Sequence, residues 1–536
     1  MRSFGAAYRK HEGISGDYDA IVVGSGMGGM TAASVLARYG QRVLLLEQNN
    51  IVGGLTQSYS RNGYTWNTGL HYIGDVDSPT KFTRRLFDYL TDGEVEWAPL
   101  PSVYNRMVIA DRAYDIPAGR EAYRDALVSW FPSEAQGIDA YLRDVDDASR
   151  ASRMHFGQKA LPESAVLAQW EEINEDFHRF SDLTTLEALD RYTDSAELKA
   201  VLCANWGDYS APPSRSSYAM HCMLNKHYMD GGSYPIGGAS RLAETMLPVV
   251  EASGGQVVYG AHVDEILAEG GAVTGVRLAS GEEVSCNTVV SNAGIQNTFG
   301  RLVSEDVGML LKAQERLQSV TDTYALVGLN IGLKGTAQSL GLVPANIWAH
   351  PGPDLDANLQ RHQRDFEADF PWLFVTFPSA KDPTWEQRNP GKSTIEMYAY
   401  TYYEHFSRWA GTTWHKRGPG YDSMKSQVKR RLLSHLYELA PSVKEAIDVV
   451  EVSTPLTYET FVRRERGGFM GIESNPSRFR TPWLRAATEV DGLFLSGQDV
   501  TTDGVIGALM GGLIASSAVL QKDVVADIRA ASKPRR

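Results

Sequence analysis

Residues 19–47 read DAIVVGSGMGGMTAASVLARYGQRVLLLE, and the reading of this stretch decides the fold. Residues 20–23 are a short apolar, largely β-branched run, the composition of a parallel strand buried on both faces. Gly24-Ser25-Gly26-Met27-Gly28-Gly29 follows at once. A helix of small residues then runs to Tyr39, and Gly40 stands where a left-handed C-cap belongs. Residues 43–46 form a second strand, closed by Glu47. Gly24 permits the tight turn, Gly26 lets a diphosphate approach the backbone, and Gly29 lets helix and strand pack closely. The helix start offers unpaired N–H groups and partial positive charge to that diphosphate. Glu47, about 20 residues on, is placed to accept from the ribose hydroxyls of an adenosine. Strand, glycine turn, helix, strand and terminal acid together predict a dinucleotide-binding βαβ unit.

The chain has 536 residues, too many for one core, so two or three domains are expected. With 43% hydrophobic and 22% charged residues it has ordinary globular composition. A formal net charge of −13 argues against a nucleic-acid partner, which needs a basic face. Cys203, Cys222 and Cys286 are scattered and odd in number, so neither a disulfide framework nor a zinc site is expected. A reducing compartment is the simplest reading, and the lack of a permitted Asn-x-Ser/Thr acceptor agrees with it. Residues 1–16 are polar and mixed in charge, unlike a secretory signal. No run reaches the roughly 18 uninterrupted apolar residues of a membrane span. The expectation is a cytoplasmic protein, with peripheral membrane contact left open.

Outward from Glu47, Gly53-Gly54-Leu55 lets backbone pass close to a ligand. Residues 64–74, YTWNTGLHYIG, set an aromatic–His–Tyr cluster between two glycines, as where chain abuts a flat ring system. From about 79 to 226 the pattern turns helical and charged, with helices expected at 81–90, 121–131, 135–153, 162–180 and 184–202. Tyr234-Pro-Ile-Gly-Gly238 opens a new unit: a helix at 240–252, then short strands at 256–259, 263–268, 274–278 and 283–285 that read as a meander. Residues 288–294, TVVSNAG, resemble a strand returning to the parallel sheet. A second region, 295–480, holds strand-like runs at 325–331, 372–377 and 393–400. It also holds an amphipathic basic helix at 421–439, read as a surface helix on a core before a membrane contact. Near the end a strand runs into Gly497-Gln498-Asp499, and a glycine-rich helix starts near Asp503. Its small face suits packing against the first βαβ helix, which explains 504–520 better than a membrane span does.

The expected architecture is α/β. A Rossmann-like nucleotide domain is assembled from 17–78, 229–296 and 483–523. A discontinuous α+β substrate domain comes from the helical insertion 79–228 and from 297–482, and 524–536 is a tail.

These pieces in this order resemble the FAD-dependent phytoene desaturase-like flavoproteins, a superfamily that also holds amine oxidases and carotenoid isomerases. The glycine fingerprint with Glu47, the Gly53-Gly54 pair, YPIGG at 234–238 and Gly-Gln-Asp499 carry the likeness. Within it the likeness is closest to the retinol saturases. That rests on TGLHYIG at 68–74, NWGDY at 205–209 and the pair His221 and His227-Tyr228. It rests also on FPSAKDPTWEQRNPGKST at 377–394, RGGFMGIE at 466–473 and the closing SGQD…GALMGGL. The 377–394 block is the most specific piece, because nothing about cofactor binding demands it.

The resemblance implies non-covalent FAD between two domains. Gly24, Gly26 and Gly29, with Met27 and Gly28, would hold the diphosphate, and Glu47 with Gln48 the adenosine ribose. Gly53, Gly54 and Leu55 would border the ligand, and Val263 would meet adenine through its backbone. Gly497 and Asp499 would serve the ribityl–phosphate region. The helix opening at Gly504, Val505 and Ile506 would face the flavin's pyrimidine edge.

The implied chemistry is reduction of a C=C bond in an apolar isoprenoid, retinoid- or carotenoid-like substrate, by hydride from flavin N5 and a proton. Such chemistry asks for a tight apolar tunnel more than for a nucleophile. No Ser–His–Asp order and no metal-spaced histidine cluster is present. His71 and Tyr72 are the proton-donor candidates, each with plain packing as the alternative. Tyr209, His221 and His227 read as pocket wall or core. No second glycine fingerprint for NADPH is present, so the electron donor is left open. Three rivals stand beside saturation: carotenoid desaturation or cis–trans isomerisation, amine oxidation, and a flavin-free prenyl-protein escort. No aromatic pair flanking a lysine stands out for the amine oxidase, and the intact glycines, Glu47 and Asp499 speak against the escort.

Overall fold

The apolar run at 20–23 and its partner at 43–47 have no polar face, so they belong inside a covered parallel sheet. The computed structural model, which describes residues 5–531, places them there. Six strands, all parallel, lie in the order Ala6–Ala7, Gln256–Tyr259, Val43–Glu47, Ala20–Val23, Val289–Ser291, Leu493–Leu495. Met27–Arg38 crosses between the two central strands and closes the βαβ unit. Gly504–Leu520 packs on that helix. A Cβ on Gly512 would meet the Gly28 carbonyl oxygen at 2.4 Å, and one on Gly511 the Gly497 oxygen at 2.2 Å. Only bare backbone allows so close an approach. Leu509, Leu513 and Ile514 of this helix are buried, each contributing on the order of 2 kcal/mol. No single helix among the described residues is long and apolar enough to cross a membrane.

The second half is built on a seven-stranded sheet ordered Ile447–Ser453, Ala325–Lys334, Lys392–Thr401, Leu373–Thr376, Asn346–His350, Val103–Ile109, Arg112–Pro117. Its pairs are antiparallel except where Asn346–His350 meets Val103–Ile109. Strand alternation sorts its side chains. Met397 and Ala399 face a core covered by Pro419–Leu439, which buries Tyr421, Met424, Val428, Leu432 and Leu436. Tyr398 and Tyr400 face the other way, into an aromatic core shared with Trp206, Trp348, Trp372 and Phe374. The amphipathic helix is therefore a surface helix on a core.

Several expectations are corrected. The insertion from 79 is not purely helical: Val103–Ile109 and Arg112–Pro117 form a hairpin inside it. Its turn carries Ala110 at φ 54 with no glycine or asparagine to announce it. The strand Gln256–Tyr259 leaves the meander and joins the parallel sheet; only Val263–Glu269, Ala272–Leu278 and Glu283–Ser285 form the meander. The helix expected at 240–252 breaks into Arg241–Met246 and Pro248–Ala252, since Pro248 cannot continue the ladder. The helices expected at 162–180 and 184–202 also split into shorter pieces. Of the expected tail, Val524–Ala531 is a helix, and 532–536 lie outside the described residues.

Candidate functional site

The carboxyl ends of the parallel strands converge on a cavity of about 420 Å³, the size and place of a ligand site in such a sheet. Gly24, Gly26, Met27 and Gly28 form one wall. Gly26 is the N-cap of Met27–Arg38, and no side chain caps that helix, so its first N–H groups face the cavity. Gly497, Asp499, Gly504 and Val505 form a second wall, where Gly504–Leu520 begins without a side-chain cap. Two uncapped helix N-termini thus meet at one cavity.

Glu47 and Gln48 mark one end, with Val263 beside them. Glu47 is 4% exposed. Its Oε2 accepts from the Ser25 N–H at 2.9 Å and the Ser25 hydroxyl at 2.6 Å, and its Oε1 from the Asn49 N–H at 2.8 Å. The anion is thereby locked at the strand end. Gly54 and Leu55 also line the cavity. Gly54 holds φ 55, and a Cβ there would stand 2.8 Å from Gly26 Cα.

Three expected cofactor residues do not line the cavity. Gly29 is packing: a Cβ on it would lie 1.9 Å from the Gly24 carbonyl oxygen. Gly53 gives its N–H to Ser25 Oγ at 3.0 Å, which ties the glycine pair to the glycine turn at 24–26. Ile506 lies one residue past the wall made by Gly504 and Val505.

Asp499 is 2% exposed and is spent on the protein itself. Its Oδ2 accepts from the Ile295 N–H at 2.9 Å, its Oδ1 from the Ile472 N–H at 3.2 Å, and Arg464 Nη2 stands 3.2 Å away. Burial acts to raise this carboxyl, but Arg464, the Ile295 amide and Arg478 hold it below the usual carboxylate range. Asp503 accepts from Ser210, Ser474 and Arg478, but its burial outweighs them and raises this carboxyl above the usual range. The segment 461–480 is thus strapped across the cavity, and Phe461, Arg463, Arg464, Phe469 and Met470 line it.

Sequence reading missed Arg464, whose partner lies 35 residues away. It also missed Asn292, whose amide stands within 3 Å of the Cβ positions of Gly26, Gly28 and Gly497. Asn292 follows the strand Val289–Ser291, and a polar residue just past the carboxyl end of a parallel strand was an available signal.

His71 and Tyr72 do not line the cavity; Gly69 does. They belong to the aromatic half. Tyr72 stacks on Tyr228 at 4.3 Å and donates to Asp208 Oδ2 at 2.8 Å. Burial and Asp208 push the Tyr72 phenol well above its usual range, and burial lifts Asp208 to about 7. His71 lies between Phe374 and Tyr398, with ring centroids at 5.1 and 5.3 Å. Its Nδ1 is 3.0 Å from Oε2 of the fully buried Glu396. His221 is fully buried against the Tyr141 and Tyr209 hydroxyls at 3.0 and 3.3 Å, and burial drives it down to about 3. His227 Nε2 accepts the Gly74 N–H at 2.9 Å. No group of three or more metal-ligating side chains occurs among the described residues.

The two halves share a wall. Val462 and Phe469 line the cavity and also pack on the aromatic core. A bare-backbone cradle at Gly24 and Gly26, two open helix N-termini, an acid at the strand end and an adjoining aromatic wall fit a dinucleotide with a flat ring system, which is what FAD is.

The flavin-containing amine oxidoreductase family profile matches residues 27–304. The chain is 34% identical over 530 residues to the all-trans-retinol 13,14-reductase of Homo sapiens, covering 95% of this chain and 87% of that protein. It is 26% identical over 538 residues to the chloroplastic prolycopene isomerase of Daucus carota, covering 95% and 80%. Among solved structures, cyclohexylamine oxidase from Brevibacterium oxydans IH-35A matches with a TM-score of 0.61 at 14% identity, over 97% of this chain and 100% of that one. That structural likeness shows the shared fold.

Proposed function

Because this chain belongs to the flavin-containing amine oxidoreductase family, as a relative of the all-trans-retinol 13,14-reductases, we propose that it reduces a C=C bond of a retinoid- or carotenoid-like isoprenoid. The observation that carries this reading is the reach of the reductase likeness. It runs over 530 residues, through the aromatic half as well as the nucleotide half.

FAD, when bound, supplies hydride-transfer chemistry. The chain's own residues do the rest. Gly24, Gly26 and the helix starts at Met27 and Gly504 would receive the dinucleotide, and Glu47 would meet its ribose. Val462 and Phe469, which line the cavity and pack on the aromatic core, offer apolar surface to a polyene. Saturation needs a proton at the carbon next to the one that receives hydride, and we assign the proton side to His71 and Tyr72. Glu396 stands behind His71 Nδ1, which leaves Nε2 as the ring nitrogen assigned to the proton transfer. Tyr72 and Asp208 hold a proton between them, with Asp208 titrating near neutrality.

The test is turnover under argon with chemically reduced flavin and a panel of retinoids and carotenoids. A product two mass units heavier supports saturation. A product of unchanged mass and altered geometry replaces the reading with isomerisation. Peroxide release with amines, and no change in any polyene, refutes it.

A further inference from the structure

The block FPSAKDPTWEQRNPGKST at 377–394 borders no part of the cavity, yet it reaches both glycine-bracketed loops of the site. Lys381, 4% exposed, enters from beneath the loop 68–74. Its Nζ donates to the His71 carbonyl oxygen at 2.9 Å, to Thr376 Oγ1 at 2.6 Å and to Asn346 Oδ1. The next residue, Asp382, accepts the Gly237 N–H at 3.0 Å and pairs with Arg388. One dipeptide thus grips the His71–Tyr72 loop with its cation and the YPIGG loop with its anion.

All three partners of Nζ are acceptors. Thr376 gives its own hydrogen to Asn346 Oδ1 at 2.9 Å, so toward Lys381 it offers only lone pairs. Three acceptors match the three hydrogens of an ammonium; a neutral amine has two and leaves one contact unmade. The nitrogen also lies 5.7 Å from the Tyr72 ring centre and 6.0 Å from that of Tyr234. The folded chain does therefore set a lysine between two aromatic rings, which the linear sequence did not show.

We propose that Lys381 is the positioning residue of the proton side: its ammonium holds the His71 carbonyl and so keeps His71 against Glu396 and Tyr72 against Asp208. The hold lasts while the lysine keeps its proton. The charged and titratable groups around it are Glu396 on Lys392–Thr401, His71 and Tyr72 on the 68–74 loop, Tyr234 on Ser233–Pro235, and Asp382, which is turned to Gly237 and Arg388. Burial, opposed by Glu396, brings Lys381 down to about 7. The grip is therefore complete below neutrality and loosens as pH rises.

The proposal rests on the reduction assigned above, so the experiment has two arms on FAD-loaded protein. In the first, kcat for polyene reduction is followed against pH in wild type, Lys381→Met and Lys381→Arg. Wild type shows a basic limb near pH 7, to which Asp208 behind Tyr72 also contributes. Lys381→Met loses about 100-fold in kcat with flavin content unchanged, and keeps only the part of the limb that belongs to Asp208. Lys381→Arg, whose charge does not titrate, retains turnover, and the limb left to it is that of Asp208 alone. In the second arm, which needs no substrate, hydrogen exchange across 68–74 rises in Lys381→Met and, in wild type, rises above neutral pH beyond the intrinsic dependence seen in exposed control segments. Lys381→Met with wild-type kcat and pH profile, or with unchanged exchange, overturns the proposal. If no polyene is reduced by wild type while exchange behaves as stated, the reductase reading falls and the positioning role stands.

Discussion

Alanine at Gly26 and alanine at Gly28 should fail in different ways. Gly26 has an extended backbone, φ −61° and ψ 170°, that alanine adopts freely. A Cβ there meets only the Asn292 amide nitrogen, at 2.9 Å, which can swing aside. The fold therefore tolerates the methyl, but if this loop is the diphosphate cradle the methyl would stand on the line of approach. Each lost hydrogen bond between a phosphate oxygen and a backbone N–H is worth about 1.5–3 kcal/mol. Losing one or two gives about 3 kcal/mol, or roughly 100-fold in Kd for FAD. At Gly28 the new Cβ would lie 2.5 Å from Gly497 Cα and 2.7 Å from Gly497 N. That is backbone, and it can yield only by parting the first helix from the last strand. Such overpacking costs about 1–3 kcal/mol whether or not a ligand is bound. The assay titrates apoprotein with FAD by fluorescence quenching and melts the same apoproteins. The expectation is that Gly26→Ala melts as wild type does but binds about 100-fold more weakly, while Gly28→Ala melts lower. Wild-type affinity in Gly26→Ala, or equal melting losses in both, would refute the assignment of this loop as the diphosphate cradle.

Three further outcomes follow from other buried contacts. Asp499→Asn leaves Arg464 with a buried uncompensated charge and should cost about 3–5 kcal/mol in denaturant unfolding; a loss under about 1 kcal/mol would show the pair to be dispensable. Asp208 is raised from 3.8 to about 7, so its contribution to stability is present at acid pH and is lost as pH rises to about 7. Asp208→Asn should therefore gain on wild type by up to about 4 kcal/mol across that window and no further above it, and a difference independent of pH would contradict the shift. Tyr72→Phe should keep its flavin, since Tyr72 does not line the cavity, and lose about 100-fold in turnover; unaltered turnover removes Tyr72 from the proton side.

The nucleotide half was readable because its signal is local. Strand, glycine turn, helix and acid fall within residues 19–47, and the closing glycine helix shows the same small-residue signature. The aromatic half was less readable, because its contacts span hundreds of residues. Lys381 meets the His71 carbonyl across 310 positions, and no periodicity encodes that. The hairpin at 103–117 escaped because its turn lacks the usual residues. His71 and Tyr72 stood out as chemistry-bearing side chains beside glycines, but their neighbours Asp208 and Glu396 come from other elements altogether. Arg464 was hidden by its surroundings in the sequence: a run of arginines and glutamates that looks like solvated surface until Asp499 draws one of them inside.

The parallel sheet has a consequence for biosynthesis. Its central pair is made from residues 20–47, but the strand Leu493–Leu495 that flanks Val289–Ser291, and the glycine helix after it, leave the ribosome long afterwards. At about 5–20 residues per second, the opening loop waits on the order of half a minute or more for its other wall. During that wait it has no mate for Gly28 and no second helix terminus, so flavin capture waits for the closing helix. Host flavin supply and chaperone holding should then govern yield more than codon-level elongation speed does.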